Sequence, residues 1–346
     1  MRLTSMSAEL SNSEELSADR LGEFRLTEPP PGFINNPYPW YALLRRHDPV
    51  HRLADNAFFL SGYSDVVAAY RDPRTSSDKN AEFTPKFGDS PLLEHHTTSL
   101  VFNDPPLHTR VRRLIMGALN QRAIRQMEAG LVALIDDLLD RMSDLDQVDI
   151  IGDFAARIPI EVIGNLLNVP HSDREPLRGW SLAILSALEP APAKAVLDAG
   201  NQAVIEFTEY LKSLVAARRR SPGDPSSDVL TRLVQGEGDG VKLTEPELLH
   251  NCIFLLNAGH ETTTNLIGNG LHALIKHREQ LERLAADPDL IDTAVEELLR
   301  FESPLQLNNR LTTEPIEIGG VEIPANSFLT LGVGAANHDP AQFNRP

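Results

Sequence analysis

Cysteine is the scarcest residue here: the 346 residues hold one, Cys252. One thiol excludes an internal disulfide and fits a reducing cytoplasm. Long apolar runs are missing too, and no stretch approaches the roughly 18 residues that a transmembrane helix requires. The opening MRLTSMSAELSNSEELSADR lacks the basic start and apolar centre of a signal peptide. Basic charge is the third shortage. Lys+Arg number 32 against Asp+Glu 49, a net charge of −17, which argues against a nucleic-acid-binding face and against an anionic membrane surface. What is present is a chain 41% hydrophobic, long enough for a large core and above the usual ceiling for one compact domain.

Read along its length, the chain is expected to be mainly α with a small β portion, an α+β architecture. Residues 1–22 read as a disordered tail, and 23–346 as a single domain. NPYPWYALLRRHDP and YSDVVAAYRDP are short helices. VHRLADNAFFLSG between them has a hairpin signal at Asp55-Asn56. Residues 76–100 lack clear periodicity and read as a long functional loop. Helical patterns dominate from Pro105 to Arg300, with SPGDPSSD and QGEGDG as loops. The longest candidate starts at Thr244, which with Glu247 forms a capping box, and runs to about Lys276. Beyond a helix at 289–300, IEIGGVEIPANSFLTLGV reads as a hairpin turning at Gly319-Gly320.

The long helix contains a polar knot, LLNAGHETTTN. A zinc-protease helix would need H-E-x-x-H, and the second histidine is missing after His260-Glu261. Phe254, Ala258 and Thr262 follow i, i+4, i+8 spacing and share one face. Thr262 is positioned to turn its hydroxyl onto the carbonyl of residue 258 and bend the helix, and small residues at 258 and 259 leave room for something flat. An ordinary glycine kink in a packed core accounts for the segment equally well. In NDPPLHTRVRRL, Asp104 is a candidate cap, and His108 and Arg112 share a face near a helix start. That pair is a carboxylate site or a solvated basic face. Glu297 and Arg300 stand at i, i+3, and Arg310 precedes the hairpin.

Taken together, AGHETT, HTRVRR, Glu297-Leu298-Leu299-Arg300 and ANHDP at 336–340 resemble, in order and spacing, the motifs of the cytochrome P450 family, its soluble bacterial branch in particular. The resemblance covers most of residues 30–346. It implies a P450-like fold and a monooxygenase that uses haem b and O2 to insert one oxygen atom into a small apolar organic substrate. By that likeness Ala258 and Gly259 let the macrocycle and O2 approach. Thr262 hydrogen-bonds the activated dioxygen, and Glu261 relays protons. His108, Arg112 and Arg310 pair with the haem propionates, while Glu297 and Arg300 are structural. The substrate would meet residues 78–102 and 175–195, Phe254, Leu255 and Asn257 on the long helix, and Leu305 to Leu307. Electrons would come from a ferredoxin or flavin-type donor, with neither nucleic acid nor a membrane as partner.

The family's cysteine loop, whose thiolate ligates iron, is expected after ANHDPAQFNRP, where the sequence given stops at Pro346. Cys252 sits on the distal helix and reads as a buried structural residue. The resemblance therefore implies an enzyme active only when that loop is supplied, no metal ligand among these residues, and, as the alternative, a haem-less helical binding protein. GVGAAN, Gly332 to Asn337, begins like a dinucleotide-binding fingerprint but lacks its third glycine.

Overall fold

The computed structural model describes residues 17–119, 121–225, 228–236 and 242–346. It begins with a 3-10 turn, Ala18–Glu23. The elements α1 (Tyr38–His47), β1 (Val50–Ala54), β2 (Ala57–Leu60), α2 (Tyr63–Arg71) and β3 (Thr75–Ser76) follow. A helical stretch then runs through α3 (Asn80–Phe87), α4 (Pro91–Thr98), α5 (Leu107–Ala118), α6 (Gln121–Ser143), α7 (Arg157–Leu166) and α8 (Glu175–Ser186). It continues with α9 (Lys194–Arg220), α10 (Val229–Gln235), α11 (Glu245–Lys276), α12 (Arg278–Ala286) and α13 (Ile291–Phe301). Last come β4 (Leu307–Thr312), β5 (Ile316–Ile318), β6 (Val321–Ile323), β7 (Phe328–Gly332) and the short α14 (Val333–Ala336). The mainly helical architecture with a small sheet is as expected.

Where one domain was expected, the chain divides into two compact units, 1–75 with 305–346, and 76–304. In the first, the strand order is β1-β2-β7-β4-β3. β1 and β2 form the expected hairpin, and β7 lies parallel to β2. β5 and β6 pair across Gly319-Gly320, both at positive φ (59° and 78°). Two successive left-handed residues make the tight turn whose twist suits a hairpin, and glycine adopts them without strain. The sheet buries Phe58, Leu60, Leu329 and Leu331. Phe24, Trp40, Tyr41 and Phe59 make a separate aromatic cluster. Leu21 joins that cluster at 8% exposure, so the expectation of disorder fails for residues 18–22; the rest of that tail lies outside the described residues.

The second unit is built around α11, 32 residues long. Its start is fixed as expected: Thr244 Oγ1 accepts from the Glu247 amide (3.4 Å), and Glu247 returns a carboxylate to the Thr244 amide (2.8 Å). Arg110 of α5 forms a close two-pronged pair with the same carboxylate, one contact at 2.9 Å, so one acid caps a helix and docks another. The core of this unit gathers Leu92, Val111, Phe207, Leu211, Ile253 and Leu256.

Two local expectations fail. Residues 76–100 are not an irregular loop but mostly α3 and α4. Ser90 caps α4, accepting from the Leu93 amide at 3.3 Å, with Pro91 in the first turn, a start signal that a window of only eight residues hides. Asp104 does not cap α5: its carboxylate takes hydrogen bonds from the Ser76 hydroxyl and the Ser77 amide. The loop expected at 235–240 lies largely outside the described residues.

Candidate active site

The polar knot of α11 lies in the middle of a helix buried on most sides. Yet Ala258 is exposed, and Phe254 and Thr262, on the same face, are half-buried. Thr262 Oγ1 donates to the Ala258 carbonyl at 2.8 Å, the bond its spacing suggested. α11 remains α-helical throughout, and Thr264 makes a second such bond to His260 O at 2.9 Å. With its hydrogen committed to residue 258, the Thr262 oxygen turns its lone pairs toward the open face. Glu261 stands beside it, half-buried. Burial, and secondarily the Glu189 carboxylate, raise its pKa above the ordinary carboxylate value, so that it holds a proton more readily.

Gly259 does something other than expected. A Cβ there would come within 2.9 Å of Ile163 Cδ1 on α7. Its missing side chain thus lets α7 and α11 pack closely, and of the Ala258-Gly259 pair it is Ala258 that is exposed. Leu255 and Asn257 also differ from expectation. Leu255 belongs to the main core, and Asn257 is 5% exposed, leaving Phe254 as the partly open apolar residue.

His108 lies in the first turn of α5 with Arg112 one turn on; the imidazole is half-buried and the guanidinium exposed. Neither makes a hydrogen bond or ion pair among the described residues, whereas Arg110 between them is consumed by Glu247. The HTRVRR cluster is thus split between structure and a cationic pair left available for an anion. Arg110 ties α5 to the first turn of α11, and Ala258, 11 residues past Glu247, is about 16 Å further along that helix at 1.5 Å per residue. Glu297 and Arg300 form a two-pronged pair at 2.7 and 2.8 Å. Leu305, Leu307 and Arg310 belong to the first unit. Leu305 is 47% exposed, Leu307 half-buried, and the Arg310 guanidinium lies 5.0 Å from the centre of the Tyr70 ring. Residues that the sequence reading passed over include His260, buried with neither ring nitrogen partnered. It stood within the knot, but spacing does not show which neighbours fail to reach it.

An open small-residue face, a hydroxyl at its centre, a part-buried acid of raised pKa and a histidine–arginine pair with no partner among the described residues suit a flat cofactor with carboxylate tails. Cys252 does not suit its axial ligand. The thiol is fully buried in the main core, and burial pushes it up to about 12, far from a thiolate. GVGAAN makes no phosphate cradle: α14 has four residues, and Gly332 and Gly334 abut Phe59 and the Gln306 side chain.

Comparisons with known proteins supply the family. A family model described as Cytochrome P450 matches residues 188–346. The chain is 35% identical over 318 residues to the biotin biosynthesis cytochrome P450 of Bacillus subtilis (strain 168), covering 91% of this chain and 79% of that protein. It is 38% identical over 318 residues to the vitamin D(3) 25-hydroxylase of Pseudonocardia autotrophica, covering 91% and 76%. Among solved structures, P450BioI in complex with hexadec-9Z-enoic acid ligated acyl carrier protein matches with a TM-score of 0.84 at 34% identity, covering 90% of this chain and 80% of that one. CalO2 matches at 0.85 and 30%, covering 93% and 80%. The chain belongs to the cytochrome P450 family, whose members are haem-dependent monooxygenases. Among the described residues, no helix is long and apolar enough to cross a membrane.

Proposed function

We propose that this chain forms the distal wall of a monooxygenase that places one atom of O2 into a small apolar organic molecule. The Thr262–Ala258 bond at an exposed mid-helix position, with a proton-holding acid beside it, carries the reading. The relatives' names range from biotin biosynthesis to vitamin D(3) hydroxylation, so what they have in common is the oxygen chemistry rather than a substrate.

When bound, haem would supply the chemistry by which O2 is reduced and split. This chain's residues prepare the distal side. Ala258 offers a flat apolar approach. Glu261 holds a proton in a part-buried setting and releases it at its carboxyl oxygen. Thr262, its own hydrogen engaged with the Ala258 carbonyl, would offer its oxygen as a hydrogen-bond acceptor beside Glu261. His108 and Arg112 would hold the propionates by charge-assisted bonds, and Glu297–Arg300 braces its helix. Phe254 provides apolar surface for substrate. Reducing equivalents come from a ferredoxin or flavin protein.

The test joins these residues to the cysteine-loop segment of a relative. A ferrous–CO spectrum with the red-shifted band of thiolate-ligated haem is expected for the joined protein and not for residues 1–346 alone. In the joined protein, E261Q and T262A should divert reducing equivalents from product to hydrogen peroxide by a factor on the order of 10². Absence of haem binding in the joined protein refutes the reading and favours a haem-less binding protein.

A further inference from the structure

α11 carries a polar strip that this reading leaves unused. Successive residues of an α-helix turn by about 100°. Measured round the axis from Ala258, Glu261 stands roughly 60° away, Asn257 roughly 100° and His260 roughly 160°, all in one rotational sense. The strip therefore runs from the open face to the far side of the helix. α8 packs against α11, and Arg178 of α8 lies near enough for its charge to lower the His260 pKa. Asn257 and His260 are 5% and 1% exposed, and Asn257 Oδ1, His260 Nδ1 and His260 Nε2 have no hydrogen-bond partner among the described residues. Ser181 on α8, fully buried, has an unpartnered Oγ as well. Arg178, three residues before Ser181, is exposed. A buried polar group without a partner costs about 1–3 kcal/mol, so several along one strip call for a bridging partner, for which water is the smallest candidate.

We propose that Asn257 and His260 are positioning residues of a proton path that refills Glu261 from the α8 side. The inference rests on Glu261 being the proton donor proposed above. For each proton Glu261 releases toward the open face, it takes one from a water held on Asn257 Oδ1. The His260 ring recharges that water, giving a proton from one nitrogen and taking one at the other from water near Arg178, and a flip of the ring then returns its N–H to the starting side. One proton passes from solvent to the pocket, and every bond broken is remade. Burial, then Arg178, push His260 down to about 4, so the ring passes protons without retaining charge. The charged groups that act on the strip are Arg178 at His260 and Glu189 at Glu261.

The test has two arms. In the 346-residue chain labelled with 15N-histidine, transfer of magnetisation from water to the His260 ring N–H is measured by NMR. A ring proton that exchanges much faster than the neighbouring α11 amides is expected; one that exchanges no faster shows a dry ring and overturns the proposal. In the haem-loaded protein, H260F and N257L should each raise the share of reducing equivalents lost as peroxide by about tenfold, while H260Q, which keeps a donor and an acceptor, restores most of the coupling. A change in E261Q and T262A with none in H260F or N257L overturns this path and leaves the monooxygenase reading standing. No change in any of the four overturns both.

Discussion

His96 on α4 gives the sharpest energetic prediction. It is 1% exposed and neither ring nitrogen has a hydrogen-bond partner among the described residues. The rings of Phe87, Phe83 and Phe102 surround it at 5.2, 5.4 and 5.4 Å, and His95 stands at 4.9 Å. Burial, with smaller contributions from Lys86 and His250, pushes its pKa from 6.5 down to about 3. The folded state therefore refuses a proton that the unfolded chain accepts. Stability is complete above the unfolded value of 6.5, falls as pH drops below it, and stops falling near 3. At about pH 5 the loss from this residue alone is about 2 kcal/mol, or roughly 30-fold in the opening equilibrium of its surroundings.

His96→Phe keeps the ring and removes both nitrogens. At about pH 7.5 the variant should be at least as stable as the parent, because two unpartnered atoms worth about 1–3 kcal/mol disappear. Between about pH 7.5 and pH 5, the parent's α4 amides should lose about 2 kcal/mol more protection than the variant's. Native-state hydrogen exchange is the suitable assay, since a chain of two compact units has no single unfolding free energy. His95 and His250, whose pKa values burial also lowers, leave the variant with some acid sensitivity. Equal pH slopes in parent and variant would refute the argument, because they would mean that His96 is hydrated in the native state.

Two further predictions concern α11. Arg110→Ala strands the Glu247 carboxylate, and denaturation of α5 and the first turn of α11 should ease by about 2 kcal/mol near neutral pH. The Arg110 hydrogen bond holds Glu247 below its usual 4.5, so that stability is present above 4.5 and lost as pH falls through the lower folded value; the difference between parent and variant should shrink in that range. Gly259→Ala adds helix propensity of about 1 kcal/mol but meets the flexible tip of Ile163 at 2.9 Å. The variant should melt within about 1 kcal/mol of the parent, and I163V should relieve what strain remains. Loss of haem binding in G259A, with the fold intact, would return Gly259 to the cofactor's face.

The sequence carried the long-range plan because its signals were local and strong. The Thr244–Glu247 box, the run to Lys276, the Gly319-Gly320 turn and the Thr262 back-bond all rest on interactions within a few residues of each other. Four motifs in order added the family, with its cofactor. Short elements were less legible: α3 and α4, eight residues each and separated by Gly88, are too brief for a helical period to emerge. What only the tertiary structure decided was which member of each cluster is consumed by packing. Arg110 rather than Arg112 meets an acid, Ile163 fills the space at Gly259, Asp104 turns to Ser76, and Leu255 and Asn257 face inward. Periodicity fixes the direction of a side chain about its own axis, but its partner belongs to another element, and burial, which shifts the pKa values of His96, His260 and Glu261, exists only once those elements have met.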